Sequence, residues 1–293
     1  MSLSNSLQKL ASYRSNSSRE SQNVFKIGSE LLKAGNAPRD EEGWAFLEQL
    51  ALAAIDLDRL DVADICLQKL TEKFPASPRV EVLTGIRMEA TEPITTVLEY
   101  YNELLHADPT NAAAWKRRIS VLRRARSTDK AAEELIEYLD TFYTDPEGWL
   151  ELADIYVSNR QYTSALQALS HALVLNPQNP FTFVQFAETA YSSGDLPLAL
   201  KMFLLAVDMI ERDIESPEPS PPTGLALRTW WGIKLCTRHL LDGSGTTTSP
   251  SNTDVPKHVQ SLDILATERI LSPYKGKELE TQRHLVENWV SKK

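Results

Sequence analysis

The chain has 293 residues, enough for one large domain or two, and its 42% of hydrophobic residues suffices for a sizeable core. A net charge of -9 sets the whole-molecule field against nucleic acid and anionic membrane, and eleven glycines are few for the length, which favours helices over turn-rich sheet. Two cysteines, Cys66 and Cys236, fit a reducing compartment in which they stay unpaired, and no apolar run approaches the roughly 20 residues of a membrane span.

Residues 1–43 read as a polar segment followed by a capping helix. Met1 to Glu20 is rich in Ser and Asn and has no apolar core of the length a signal peptide needs. Val24, Ile27, Leu31 and Leu32 then recur at helical spacing, with Gly35-Asn36 as the stop, which predicts one helix able to cover the exposed end of an array.

Residues 44–213 carry a repeat. Its clearest copy places Trp149, Leu152, Ala153 and Tyr156 on one face of a helix and Ala165, Leu169 and Ala172 on one face of the next, with Pro177 as the close. That is the spacing of a tetratricopeptide unit, a helical hairpin whose small residues let the two helices approach. Steps of 34 residues give five units, starting at 44, 78, 112, 146 and 180, with no insertion between them. The match is imperfect, since Arg118 and Ile119 stand where a large apolar and a small residue are expected. Ser77-Pro78, Asp145-Pro146 and Asn179-Pro180 each predict a capping side chain ahead of a proline at the first helical position. Asp108-Pro109 and Asn176-Pro177 predict helix stops.

Residues 214–293 leave the register. Glu215 to Gly224 is a proline-rich connector. Leu225 to Leu241 is a helix with Trp230, Trp231 and Leu235, a degenerate sixth unit; its adjacent tryptophans cannot share one narrow stripe, so they are either both buried within the chain, the favoured reading, or divided between the array's end and a partner. Asp242 to Lys257 is polar, low in complexity and predicted disordered. Two capping helices, about 258–271 and 277–290, end the chain. The fold class is therefore all-α: a right-handed tetratricopeptide-repeat solenoid with capping helices at both ends.

No catalytic constellation emerges. None of the five histidines has a second His or Cys at helical metal-site spacing, and there is no phosphate-binding glycine loop, nucleophile elbow or Cys-x-x-Cys. The sequence predicts no enzyme activity, no cofactor, no metal and no small-molecule substrate. Nucleic acid is excluded by the acidic balance and by the absence of aromatics among the basic residues 116–126.

Binding is predicted on the concave face, which positions 2, 5, 9 and 12 of each first helix line. Arg79 and Val82 enter from the unit at 78, and Lys116, Ser120 and Arg123 from the unit at 112. The units at 146 and 180 add Glu147, Leu150, Asp154, Val157, Phe181, Val184, Glu188 and Tyr191. The basic run is either a solvated helix face or a site for acidic or C-terminal carboxylate groups of an extended partner segment. The mixed apolar and acidic remainder suits a protein segment. Chaperone-binding members of this repeat class hold a carboxylate with a Lys, Asn, Asn, Lys, Arg set; here Lys116 fits, but Ser120, Glu151, Phe181 and Gln185 replace the others.

Three phrases narrow the class: Ala53-Ala-Ile-Asp-Leu-Asp58, Phe74-Pro-Ala-Ser-Pro-Arg-Val-Glu-Val-Leu-Thr-Gly-Ile-Arg-Met-Glu-Ala90 and Asp108-Pro-Thr-Asn-Ala-Ala-Ala-Trp-Lys-Arg-Arg-Ile119. Over roughly 21–206 the chain resembles the family of endoplasmic reticulum membrane protein complex subunit 2. The resemblance implies a noncatalytic scaffold at the cytoplasmic face of the endoplasmic reticulum membrane. It would be peripheral through its partners, which are cytosolic segments of membrane-embedded subunits and another soluble subunit. The assembled complex would insert tail-anchored and multipass membrane proteins. The repeat by itself fits two other readings, a soluble adapter or co-chaperone and a noncatalytic subunit of a cytosolic enzyme.

Overall fold

The computed structural model describes residues 3–34, 41–212, 220–243, 251–275 and 279–291. They are helical throughout, with no strand among them, and divide into two compact units, Met1–Thr141 and Phe142–Lys293.

The first unit opens with α1 (Leu3–Ser15) and α2 (Ser21–Lys33). Three helical hairpins follow: α3 (Glu41–Asp56) with α4 (Leu60–Lys73), α5 (Pro78–Met88) with α6 (Ile94–Ala107), and α7 (Ala112–Arg124) with α8 (Thr128–Thr141). One helix was expected before residue 43 and two are present. The polar composition of α1 hides its short apolar stripe, in which Leu10 is fully buried while Leu7 and Tyr13 pack partly against the core. The expected stop of α2, Gly35-Asn36, lies outside the described residues. Val24, Ile27 and Leu31 of α2 join Phe46, Leu50 and Leu70 of the first hairpin in one core.

The second unit contains α9 (Pro146–Ser158), α10 (Tyr162–Leu175), α11 (Pro180–Ser192), α12 (Leu196–Glu211), α13 (Gly224–Leu241), α14 (Val259–Leu271), a 3-10 turn at Ser272–Tyr274, and α15 (Glu280–Ser291). Its core runs from Leu152, Leu169 and Phe186 to Leu200, Ile233 and Ile270.

Each hairpin closes by alternating small and large residues. At the small place of the first helices, Ala51, Ile119, Ala153 and Ala187 are fully buried; the fifth residue there is Gly85, whose position a Cβ would fill 2.6 Å from the Tyr101 ring. Tyr101 is itself fully buried. A glycine thus makes room for the largest side chain at that depth.

Helix ends follow local chemistry. Asp145 and Asn179 accept the N–H groups of Glu147 and Phe181, each at 3.1 Å, so these two predicted caps form. Ser77 makes no such bond. Asn111 and Asp195 cap α7 and α12 instead, accepting from Ala114 and Leu198 at 3.1 and 3.2 Å.

First helices end in a Schellman turn, with Asp58 (φ 56), Arg126 (φ 59), Arg160 (φ 58) and Gly194 (φ 88) in the left-handed region. The following N–H groups of Arg59, Ser127, Gln161 and Asp195 close it on the carbonyls of Ala54, Leu122, Tyr156 and Ala190 at 2.8 to 3.0 Å. The hairpin of α5 and α6 has Pro93 where that last donor would stand. Proline has no N–H and pushes Glu92 toward extended backbone, so α5 stops early at Met88.

Past the register, polar pairs replace the alternation. Gly232 of α13 would meet the Phe203 ring at 2.4 Å if it carried a Cβ, so close approach persists there. Around it Lys234, 5% exposed, holds both oxygens of Asp263 at 2.7 Å, and Arg269 holds Glu211 at 2.6 Å. Trp230 is buried and donates its indole N–H to Glu211 at 3.0 Å, while Trp231 meets Trp289 edge to face at 4.9 Å. Both tryptophans therefore pack within the chain. Residues 244–250 of the low-complexity stretch lie outside the described residues; directly after them the Ser251 N–H donates to the Asp195 carboxylate at 3.1 Å.

Candidate functional site

Reactive side chains do not gather. Among the described residues no three His, Cys, Asp or Glu side chains are grouped to hold a metal ion. Both cysteines are fully buried, and burial pushes the Cys66 thiol up to about 11 and that of Cys236 up to about 12, so neither carries thiolate at neutral pH. His171 stacks on Trp149 at 4.3 Å, and His239 Nε2 lies 3.3 Å from the Tyr191 hydroxyl.

What the helices do build is a cleft in each unit. In the second, α9, α11 and α13 supply the walls, and α9 and α11 each begin at a proline. Asp154, Val157, Phe181, Val184 and Glu188, five of the residues picked from the repeat register, meet there around a volume of about 520 Å³. Val184 is 2% exposed and forms floor, while Phe181 is 65% exposed and stands at the rim. The sequence reading missed Leu225 and Arg228 on α13, which complete the wall. Arg228 grips both carboxylate oxygens of Glu188 at 2.6 Å. Tyr191 lies beyond the wall, its hydroxyl pushed to a higher pKa by burial. Glu147, exposed, and Leu150, half-buried, sit on α9 outside this cleft.

The first unit's cleft, about 610 Å³, lies between the α1–α2 loop and helices α3, α5 and α7. Arg79 lines it and pairs with Glu48 at 2.5 Å, whereas Val82 is 8% exposed. Lys116, Ser120 and Arg123 are not on its wall: Lys116 lies over the Tyr138 ring at 5.9 Å, Ser120 is exposed and Arg123 half-buried. From the basic run 116–126, the cations that face the cleft are Arg117 and Arg124. Arg117 donates twice to Glu89, at 2.9 and 2.6 Å, Arg124 lies 3.6 Å from the same carboxylate, and the Tyr101 hydroxyl adds a 2.8 Å bond. Burial and the neighbouring Glu89 raise the Tyr101 phenol well above its usual range, so it stays a donor.

Arg118, the misfit of the repeat pattern, pairs with Glu134 on the next helix at 3.0 Å. Three cations of the basic run, Arg117, Arg118 and Arg124, are thus held by carboxylates of their own unit. Glu89 was legible as position 12 of its repeat. Its role was not, because Arg117 and Arg124 reach it from positions outside the groove pattern.

The arrangement offers shape, apolar contact and paired charge. Comparison with known proteins places it. Residues 59–198 match the EMC2 TPR-like repeat domain. ER membrane protein complex subunit 2-A of Xenopus laevis is 38% identical over 204 residues, 69% of either chain. TPR repeat protein oca3 of Schizosaccharomyces pombe is 32% identical over 211 residues, 70% of either chain. In fold, the chain is similar to the C-terminal part of a TPR repeat-containing protein from Cytophaga hutchinsonii, with a TM-score of 0.57 at 12% identity, covering 94% of this chain and 98% of that one. The phrases of the sequence, the hairpin geometry and these relatives agree: the chain belongs to the family of ER membrane protein complex subunit 2, with an all-α tetratricopeptide-type fold.

Proposed function

We propose that this chain is a noncatalytic scaffold subunit of an endoplasmic reticulum membrane protein complex. It works on the cytoplasmic face, is attached through other subunits, and holds cytosolic segments of membrane-embedded subunits and another soluble subunit in fixed relation. The complex so assembled inserts tail-anchored and multipass membrane proteins, and the insertion step belongs to the membrane-embedded subunits.

The family supplies the complex. The observation that carries the binding role is Phe181, 65% exposed on the rim of a cleft with a buried apolar floor and an exposed Asp154. A bare aromatic beside a formed cleft is the anchor an extended segment needs. Glu147, Leu150 and Tyr191 flank that surface, and Arg79, Lys116, Ser120 and Arg123 offer a second, more basic one in the other unit.

Affinity purification of tagged protein from detergent extracts tests the reading. Several membrane-embedded subunits should be recovered in fixed ratio. Phe181→Glu with Asp154→Lys should lower that recovery at least tenfold while thermal unfolding of the purified chain moves little. Recovery of chaperones alone, or of a catalytic partner in place of membrane subunits, overturns it.

A further inference from the structure

The first unit's cleft has an excess of positive charge within an acidic chain. Arg14, Arg19, Arg79, Arg117 and Arg124 line it against four carboxylates. Arg79 is taken by Glu48, Arg19 by Asp56, and Arg117 with Arg124 by the single Glu89. Arg14 donates to a neutral group, the amide oxygen of Gln49, at 2.9 Å. In a chain of net charge -9, five guanidinium groups beside four carboxylates mark a place with room for an anion.

Three serines share this cleft, all in or beside the loop from α1 to α2. Ser21 already donates its hydroxyl to Asp56 at 2.5 Å, where an added phosphate would face a carboxylate. Ser18 is half-buried. Ser17 differs: it is exposed, holds a left-handed φ of 50°, and donates its N–H to the Arg14 carbonyl at 3.1 Å, so its side chain projects from the turn that follows Arg14. An arginine three residues before an exposed serine is what basophilic protein kinases recognise, through carboxylates of their own that bind the guanidinium.

We propose that Ser17 is a phosphorylation site, and that the phosphate it receives is read by Arg14 and Arg19 at the mouth of this cleft. In the transfer, Ser17 Oγ attacks the γ-phosphorus of a nucleoside triphosphate. The Oγ–P bond forms as the bond to the bridging oxygen breaks, the nucleoside diphosphate leaves, and the hydroxyl proton passes to a carboxylate of the kinase. The product adds a charge of about -1.5 to -2 and three acceptor oxygens. Arg14 then exchanges a neutral partner for a dianion, and Arg19, at 78% side-chain exposure, swings between Asp56 and the phosphate at little cost. The consequence is a loop tied over the cleft, which narrows the first unit's binding surface on demand.

The test uses the full chain in two forms. With a purified basophilic kinase and labelled ATP, Ser17→Ala should remove most of the incorporated phosphate and Arg14→Gln should slow incorporation at least tenfold. Phosphoserine placed at position 17 by codon-directed incorporation then separates reading from writing. Its second ionisation, followed by phosphorus NMR, should fall below the usual value of about 6. It should return toward that value in Arg14→Gln and stay low in Arg14→Lys, which keeps the charge. Undiminished labelling of Ser17→Ala, or a phosphate that titrates alike in all three proteins, overturns the proposal.

Discussion

Arg160 and Arg126 occupy a left-handed turn that an L side chain enters only at a cost of about 1–2 kcal/mol. Gly194 fills the equivalent place in the next first helix without that strain, and its position is open, with nothing within 4 Å of an added Cβ. A glycine also frees the unfolded chain, which takes back about 0.4–1 kcal/mol. Arg160→Gly should therefore stabilise the protein by about 0.5–1 kcal/mol, and Gly194→Ala should destabilise it by a similar amount, both measured by urea unfolding. Equal effects in the same direction would mean that the turn is not what these residues control. A second residue-scale prediction concerns acid. The hydrogen bonds from Arg19 hold the Asp56 carboxyl below its ordinary range, with Ser21 assisting. A depressed carboxyl contributes stability above its unfolded value of about 3.9 and loses it as pH falls through its folded value. The melting temperature of Asp56→Asn should therefore lie below the parent at neutral pH, and the gap should close below about pH 4. A gap that persists in acid would assign the loss to packing.

Between helices, two kinds of joint are at work. In the repeated hairpins the joint is steric: Gly85 lies against Tyr101, so Gly85→Ala drives a methyl group into a buried ring and should cost about 1–3 kcal/mol by thermal or urea unfolding. In the last hairpin the joint is ionic. Lys234→Met leaves Asp263, with Thr237 still donating to it at 2.9 Å, short of its cation, and should cost about 3–5 kcal/mol. Lys234→Met combined with Asp263→Leu should recover much of that loss, because two apolar groups need no partner. These joints differ in how far they could be read from sequence. Steric alternation repeats at fixed spacing, so the pattern from Ala51 to Phe203 was visible. A buried Lys–Asp pair looks like any two surface charges until the helices are in place. α1 was hidden for a related reason: a helix held by Leu10 and a bond from Gln49 to its backbone carries too few apolar residues to show a period.

For the whole molecule, the register predicted surface better than it predicted partners. It brought Asp154, Val157, Phe181, Val184 and Glu188 to one cleft, yet Leu225 and Arg228 came from a helix outside the repeat. Lys116 and Arg123, chosen by the same rule, lie off the cleft of their unit because Glu89 draws in Arg117 and Arg124. The same separation between surface and attachment governs behaviour at a membrane. Among the described residues no helix is long and apolar enough to cross one, and the net charge of -9 repels anionic lipid. If the scaffold reading is right, membrane association rests on protein contacts alone. Two outcomes follow for the purified chain and for the chain in cells. Alone, it should stay in the supernatant when vesicles rich in phosphatidylserine are pelleted, at low salt as well as high, since the net charge of -9 outweighs the few arginines of the first unit's cleft. From cell membranes it should be released by alkaline carbonate, which strips proteins held by other proteins, while its membrane-embedded partners remain in the pellet. Retention after carbonate would show that the chain inserts into lipid itself, and would require a membrane contact that its helices do not offer.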